Sequence, residues 1–141
     1  MSSNITTLSG LLDGGVLNGF VETDIEKPAD GMNGDCIVHF GGKFEKCVLR
    51  VKLRDGKREG EGMITNDGVP FMLVEYHDGL LTGRVLRWNT YGQLILEGHA
   101  RNGLEVGLFV EYDRSEKVAW RGYYRNGKRY SEVVENGRVK G

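Results

Sequence analysis

The 141-residue chain contains only two prolines and two cysteines. So few prolines exclude a Pro-rich linker or a collagen-like chain. Two cysteines exclude a disulfide framework and a four-cysteine zinc site. No apolar run approaches the ~18 residues of a membrane-spanning helix, and no stretch keeps a helical period. The start, MSSNITTLSG, has neither a basic segment nor an apolar core, so no secretory signal is predicted. A cytoplasmic protein is expected, with association to cytoskeleton or membrane left open, and there the Asn4-Ile5-Thr6 triplet has no glycosylation meaning. The formal net charge of −1 predicts no nucleic-acid partner. Apolar residues make up 39% of the chain, which predicts a thin core.

Glycine is the residue in excess, with 22 of 141 positions, about twice the ordinary ~7%. Its placement is periodic. Asp55-Gly56, Asp78-Gly79, Asn102-Gly103 and Asn126-Gly127 recur at intervals of 23, 24 and 24 residues. A second glycine follows four residues later at Gly60, Gly83 and Gly107, with Ser131 in the fourth place. A mid-unit turn is predicted at Asn66-Asp67-Gly68, at Asn89-Thr90-Tyr91-Gly92 and at Asp113-Arg114-Ser115-Glu116. The N-terminal third follows the rule loosely, through Asp13-Gly14-Gly15 with Gly19 and Asp30-Gly31 with Gly34. Phe40-Gly41-Gly42-Lys43 supplies a mid-unit turn there.

Each unit holds two short segments rich in β-branched and aromatic residues, bounded by turn signals, which is the pattern of a β-hairpin. Alternation predicts one inward column per unit: Cys47-Leu49-Val51-Leu53, Pro70-Met72-Val74-Tyr76, Leu94-Leu96-Gly98-Ala100 and Val118-Trp120-Gly122-Tyr124. Gly98 and Gly122, inside strands, predict close approach of a ring or a backbone. One hairpin buries too little by itself, and stacking supplies the core. The expected fold is all-β: an elongated, curved single sheet of stacked antiparallel β-hairpins. Residues 1–141 form one domain, with degenerate repeats over 10–44 and regular ones over 45–137.

The unit resembles the MORN (membrane occupation and recognition nexus) repeat. That resemblance is carried by Trp120-Arg121-Gly122-Tyr123-Tyr124-Arg125-Asn126-Gly127 and by Leu96-Glu97-Gly98-His99-Ala100-Arg101-Asn102-Gly103-Leu104-Glu105-Val106-Gly107. In the second stretch Leu96 and Ala100 replace aromatics. The phrase GRVLRWNTYGQLILEGHARNG is similar to the variant repeat of bacterial MORN-type proteins and of the region preceding the catalytic domain in SET-type lysine methyltransferases. The resemblance implies a hairpin ladder used for protein interaction, sometimes for dimerisation or for binding membrane lipids. Catalysis in such proteins belongs to a separate attached domain, and none is expected within these 141 residues.

No enzyme is expected, because no nucleophile–base arrangement can be read from the sequence. His39, His77 and His99 make no metal-binding spacing, so neither a metal nor a cofactor is predicted. The glycine-rich turns open no helix and are not phosphate loops. Cys36 and Cys47 face each other if Gly41-Gly42 is a two-residue turn, whereas a longer loop pairs Val38 with Cys47. Either register leaves both thiols on one face.

Two sets of binding residues are predicted. Tyr76, Trp88, Arg101, Tyr112, Trp120, Tyr123 and Arg125 are candidates for docking a partner protein through an acidic or apolar segment. Arg101 and Arg125 of this set also belong to a basic ladder, Arg54, His77, Arg101 and Arg125, that precedes the four Asp/Asn-Gly turns. The second set, Arg121, Arg125, Lys128 and Arg129, could bind anionic phospholipid. Residues 114–141 hold eight basic and three acidic residues, whereas residues 1–40 hold one lysine and six acidic residues. A homodimer through the terminal strands is a further expectation, from an unpaired edge after Val133-Val134-Glu135-Asn136. The leading expectation is a non-catalytic interaction scaffold or adaptor, and the alternative is peripheral lipid binding.

Overall fold

The computed structural model describes residues 15–134. Among them ten strands follow one another in a single antiparallel sheet whose spatial order is the chain order. The strands are β1 (Glu22–Glu26), β2 (Gly34–Phe40), β3 (Cys47–Arg54), β4 (Lys57–Asn66) and β5 (Val69–His77), then β6 (Leu80–Trp88), β7 (Leu94–Arg101), β8 (Leu104–Tyr112), β9 (Val118–Arg125) and β10 (Lys128–Val134). The sheet is an open succession of hairpins and does not close into a barrel. Among the described residues no helix is long and apolar enough to cross a membrane.

The periodic glycines explain the meander. Each Asp/Asn-Gly pair is a two-residue connection in which both residues have positive φ, from 50° to 87°. That geometry matches the right-handed twist of the flanking strands. Successive turns are also stitched together. The N–H groups of Gly56, Gly79, Gly103 and Gly127 donate to the carbonyls of Met32, Arg58, Leu81 and Glu105. The next side chain along takes the other turn amide in three units: Asn33 for Asp55, Glu59 for Asp78 and Thr82 for Asn102. In the fourth unit that position is Val106, which has no acceptor.

Two bulges recur with the repeat. Near the two-residue turns, Val51, Glu75 and Gly98 each face three residues on the next strand, centred on the stretches around Glu61, Gly83 and Leu108. Gly60, Gly83 and Gly107 take positive φ there, which an ordinary side chain resists. Ser131 cannot do so cheaply, and in that unit the register slips by one residue, at Tyr130. The second bulge adds one residue at Phe71, Ile95 and Ala119, just after each mid-unit loop.

The inner face is the core. Cys47, Leu49, Val51 and Leu53 are buried as the alternation predicts. Met72, Val74, Tyr76, Leu96, Ala100, Trp120 and Tyr124 are buried as well. Pro70 is a correction. The bulge turns it outward and puts Phe71 against the core in its place; the equivalent bulges at Ile95 and Ala119 likewise take Leu94 and Val118 off the inward column of Leu96 and Trp120. Gly98 lies beneath the Phe109 ring and Gly122 beneath the Trp120 ring. Both strand glycines are therefore sites of close ring approach.

The sheet curls enough for Arg58 of β4 to hold both carboxylate oxygens of Glu22 on β1, each at 2.9 Å. Residues 15–20 complete the cover. They form turns and not the hairpin expected around Gly15 and Gly19; Asp13-Gly14 lies outside the described residues. Val16 is fully buried and donates its N–H to the Gly103 carbonyl. Phe20 stacks on Phe44 at 3.8 Å. The physical reason is that an open sheet leaves one apolar face bare, and Val16, Leu17 and Phe20 supply a second layer.

The cysteine register is a second correction. A short 3-10 turn, Gly42–Phe44, lengthens the β2–β3 connection, and Cys36 pairs with Val51. Neither Cys36 nor Val38 faces Cys47, since Val38 pairs with Leu49. Both thiols are buried on the inner face, as parity requires. Cys36 stands four residues along from Cys47, about 13 Å, beyond the reach of a disulfide.

Candidate functional site

The edge of the sheet opposite the Asp/Asn-Gly turns carries the mid-unit loops, and there the structure forms a groove of about 950 Å³. The β6–β7 loop, 89–93, is built around Asn89. Its side-chain oxygen accepts the N–H groups of Tyr91 and Gln93. The β8–β9 loop repeats the arrangement with Asp113, which accepts from Ser115 and Lys117. Gln93 donates to the Arg114 carbonyl and ties the two loops together. These turns are Asx turns, set by one Asn or Asp at the loop entrance.

The loops and bulges aim a set of aromatic and apolar side chains into the groove. Phe71, Trp88, Tyr91, Ile95 and Tyr112 line it, with Arg87 among them. Phe71 and Ile95 are the bulge residues, and a bulge re-aims a side chain in this way. Tyr91 is 76% exposed, a large apolar surface to leave in water at a loop tip. Tyr112 is held in place by donating to Glu97 at 2.9 Å. Burial, together with that hydrogen bond, raises its phenol pKa.

Arg87 is the least ordinary member. It is 8% exposed and its guanidinium lies 4.4 Å from the centre of the Phe71 ring. Its Nε is buried without a hydrogen-bond partner. Burial lowers its pKa, while the Cys47 and Glu111 charges act the other way. Burial in turn raises the Glu111 carboxyl. At the rim Lys46 and Arg114 are matched in number by Asp67 and Asp113.

The predicted partner residues separate in space. Trp88 and Tyr112 come together in the groove. Tyr76 and Trp120 are buried on the inner face, Tyr76 beneath Arg58 and Trp120 donating to Glu132 at 2.7 Å. Tyr123 belongs to the outer face. Arg101 and Arg125 are exposed beside the two-residue turns, with Arg125 4.6 Å from the Tyr130 ring centre. In the basic ladder, His77 contacts Glu59 at 3.2 Å.

The predicted lipid patch divides as well. Arg121 pairs with Val110 and Val133 on the outer face. Arg129 pairs with Tyr124 and reaches Glu132 at 3.5 Å on the inner face. Arg125 and Lys128 flank the last turn between them. Arg138 and Lys140, two further basic residues of the 114–141 stretch, lie outside the described residues, as do Glu135 and Asn136 of the expected dimer edge.

The sequence reasoning missed Phe71, Arg87 and Ile95. Arg87 was signalled by parity, since it alternates with Val85 on the buried side of β6. Phe71 and Ile95 depend on bulges that alternation cannot reveal. Among the described residues, Asp24, Glu26 and His39 also converge on β1 and β2, with potential ligand atoms within 4.8 Å of one another. That cluster is solvent-facing, and His39 already contacts Glu26 at 2.6 Å.

No family model matches the chain, and neither does any curated protein or solved structure.

Proposed function

We propose that this chain is a non-catalytic β-hairpin repeat module that docks an extended segment of a partner protein in the mid-unit-loop groove. The observation that carries this reading is that Phe71, Trp88, Tyr91 and Tyr112 line one open groove together with Arg87. Aromatic residues and arginine are the side chains enriched where proteins bind one another. The groove crosses β4 to β8, about 19 Å at ~4.8 Å per strand. That length suits roughly six residues of extended chain. The resemblance to MORN-type repeats supports an adaptor role, and a second copy could still join through β1 or β10.

Binding of anionic phospholipid is the weaker reading, because Arg121 and Arg129 belong to opposite faces and cannot approach one flat surface together. A tagged full chain and two variants separate the readings. The variants are Trp88→Ala/Tyr91→Ala and Arg121→Glu/Arg125→Glu/Lys128→Glu/Arg129→Glu. The expected result is a stoichiometric partner from source cells that survives high salt, is retained by the charge variant and is lost by the aromatic one. The reverse pattern, with sedimentation on phosphatidylserine vesicles at low salt only, would replace docking by lipid binding.

A further inference from the structure

We infer that Arg87 is a carboxylate receptor: it takes the side-chain carboxylate of an Asp or Glu in the docked segment, whose neighbouring apolar side chain lies against Trp88 and Tyr91. The inference deepens the docking reading and rests on it.

Arg58 and Arg87 show the contrast that points there. Both project from even-numbered strands onto the inner face, and both lie close to an aromatic ring, Tyr76 for Arg58 and Phe71 for Arg87. Arg58 is satisfied by a two-point ion pair with Glu22. Arg87 has no such pair. Among the described residues no carboxylate stands within 4.0 Å of its guanidinium, and its Nε has no acceptor. The facing acid, Glu111, is two strands away across Leu96 in the row Arg87, Leu96, Glu111. A guanidinium taken out of water without an anion is costly, and a carboxylate offered in two-point geometry relieves that cost. The Phe71 ring covers one face of the guanidinium and leaves its edge as the route for an acceptor.

The shape of the groove selects the source of the carboxylate. Arg87 sits on the third of the five strands crossed, with Asn66, Pro70 and Phe71 on one side and Ile95 and Tyr112 on the other. A chain ending at Arg87, or a small acid bound there, would leave half of the aromatic lining bare. A segment running past Arg87 in both directions covers it. Asp67 and Asp113 at the rim disfavour a polyanion and accept a single buried carboxylate.

The test uses the full chain as bait for a displayed library of random 12-residue peptides, with Trp88→Ala and Arg87→Met as comparison baits. Methionine keeps an apolar side chain against Phe71 and removes the charge. The wild-type chain is expected to enrich peptides with Asp or Glu beside an aromatic or aliphatic residue. A synthetic peptide from that pool should lose about 10–100-fold in affinity when its acid is replaced by the amide, the range for a hydrogen bond to a charged group. Arg87→Met should bind the acid and amide peptides equally. If Arg87→Met does not fold, the acid-to-amide comparison on the wild-type chain still decides. Enrichment that is lost in Trp88→Ala but shows no acidic position, or an amide peptide that binds within twofold, overturns the receptor and leaves the docking groove standing. No enrichment over Trp88→Ala overturns both.

Discussion

Gly98→Ala tests whether ring approach, and not backbone freedom, is the reason for glycine inside a strand. Gly98 is not among the positive-φ residues, so alanine is conformationally allowed. By itself that exchange would favour folding by about 0.5–1 kcal/mol. The added Cβ, however, would fall within the ring of Phe109. Phe109 is fully buried, and its ring meets Tyr124 edge-on at 5.1 Å, so it has little room to retreat. Overpacking of this kind costs about 1–3 kcal/mol. With the ring pinned on its other side the steric cost dominates, and a net loss of about 2 kcal/mol is expected. For a chain of this size that lowers Tm by about 6 °C. Thermal unfolding followed by circular dichroism measures it. Phe109→Leu in the same chain should relieve part of the loss, so that the double variant is more stable than the two single losses predict. A Gly98→Ala chain as stable as the parent, or losses that simply add, would refute the account.

Two further outcomes follow from ionisable groups. The Glu75 carboxylate accepts the Arg84 backbone N–H at 2.6 Å and pairs with the Arg84 guanidinium, which together hold its pKa below the usual value. Such a group contributes stability above the ordinary carboxyl range that is lost as pH falls through the lowered value. Glu75→Gln should therefore be less stable than the parent by about 1 kcal/mol at pH 7, after allowing for solvent screening, and urea unfolding should show the gap closing towards pH 3. An undiminished gap there would count against the assignment. Burial raises the pKa of both Cys36 and Cys47, the surroundings of an unreactive thiol. An aromatic disulfide reagent at pH 8 should label neither thiol within minutes in the folded chain and both in denaturant. Rapid labelling of one would show that the inner face is open.

Much of the architecture was already written in local chemistry. An Asp-Gly or Asn-Gly pair with both residues at positive φ is a property of two residues and their neighbours, so the hairpins and their 23–24-residue period could be read directly. The inward columns were legible for a related reason: side chains alternate along a strand whatever it packs against. Even Gly98 and Gly122 carried their meaning in sequence, because a missing Cβ within a strand requires something else to fill the space.

The groove was legible only in part. Trp88 and Tyr112 stood out as aromatics, but nothing local distinguished them from Tyr76 and Trp120, which the sheet buries. Alternation gives the side of a strand, not which side faces water, and that depends on where residues 15–20 and the curl of the sheet place the cover. A single extra residue at Phe71 or Ile95 reverses which side chain points inward, and it arises from how two strands meet across a loop. The basic cluster shows the same limit. Arg121 and Arg129 are close in sequence, yet pleating and one hairpin turn send them to opposite faces. The sequence thus determined the units, their turns and their parity, because these depend on interactions within a few residues. Tertiary structure decided which aromatics stay exposed, where Arg87 is left without a carboxylate and which charges share a surface, because these depend on contacts between strands far apart in the chain.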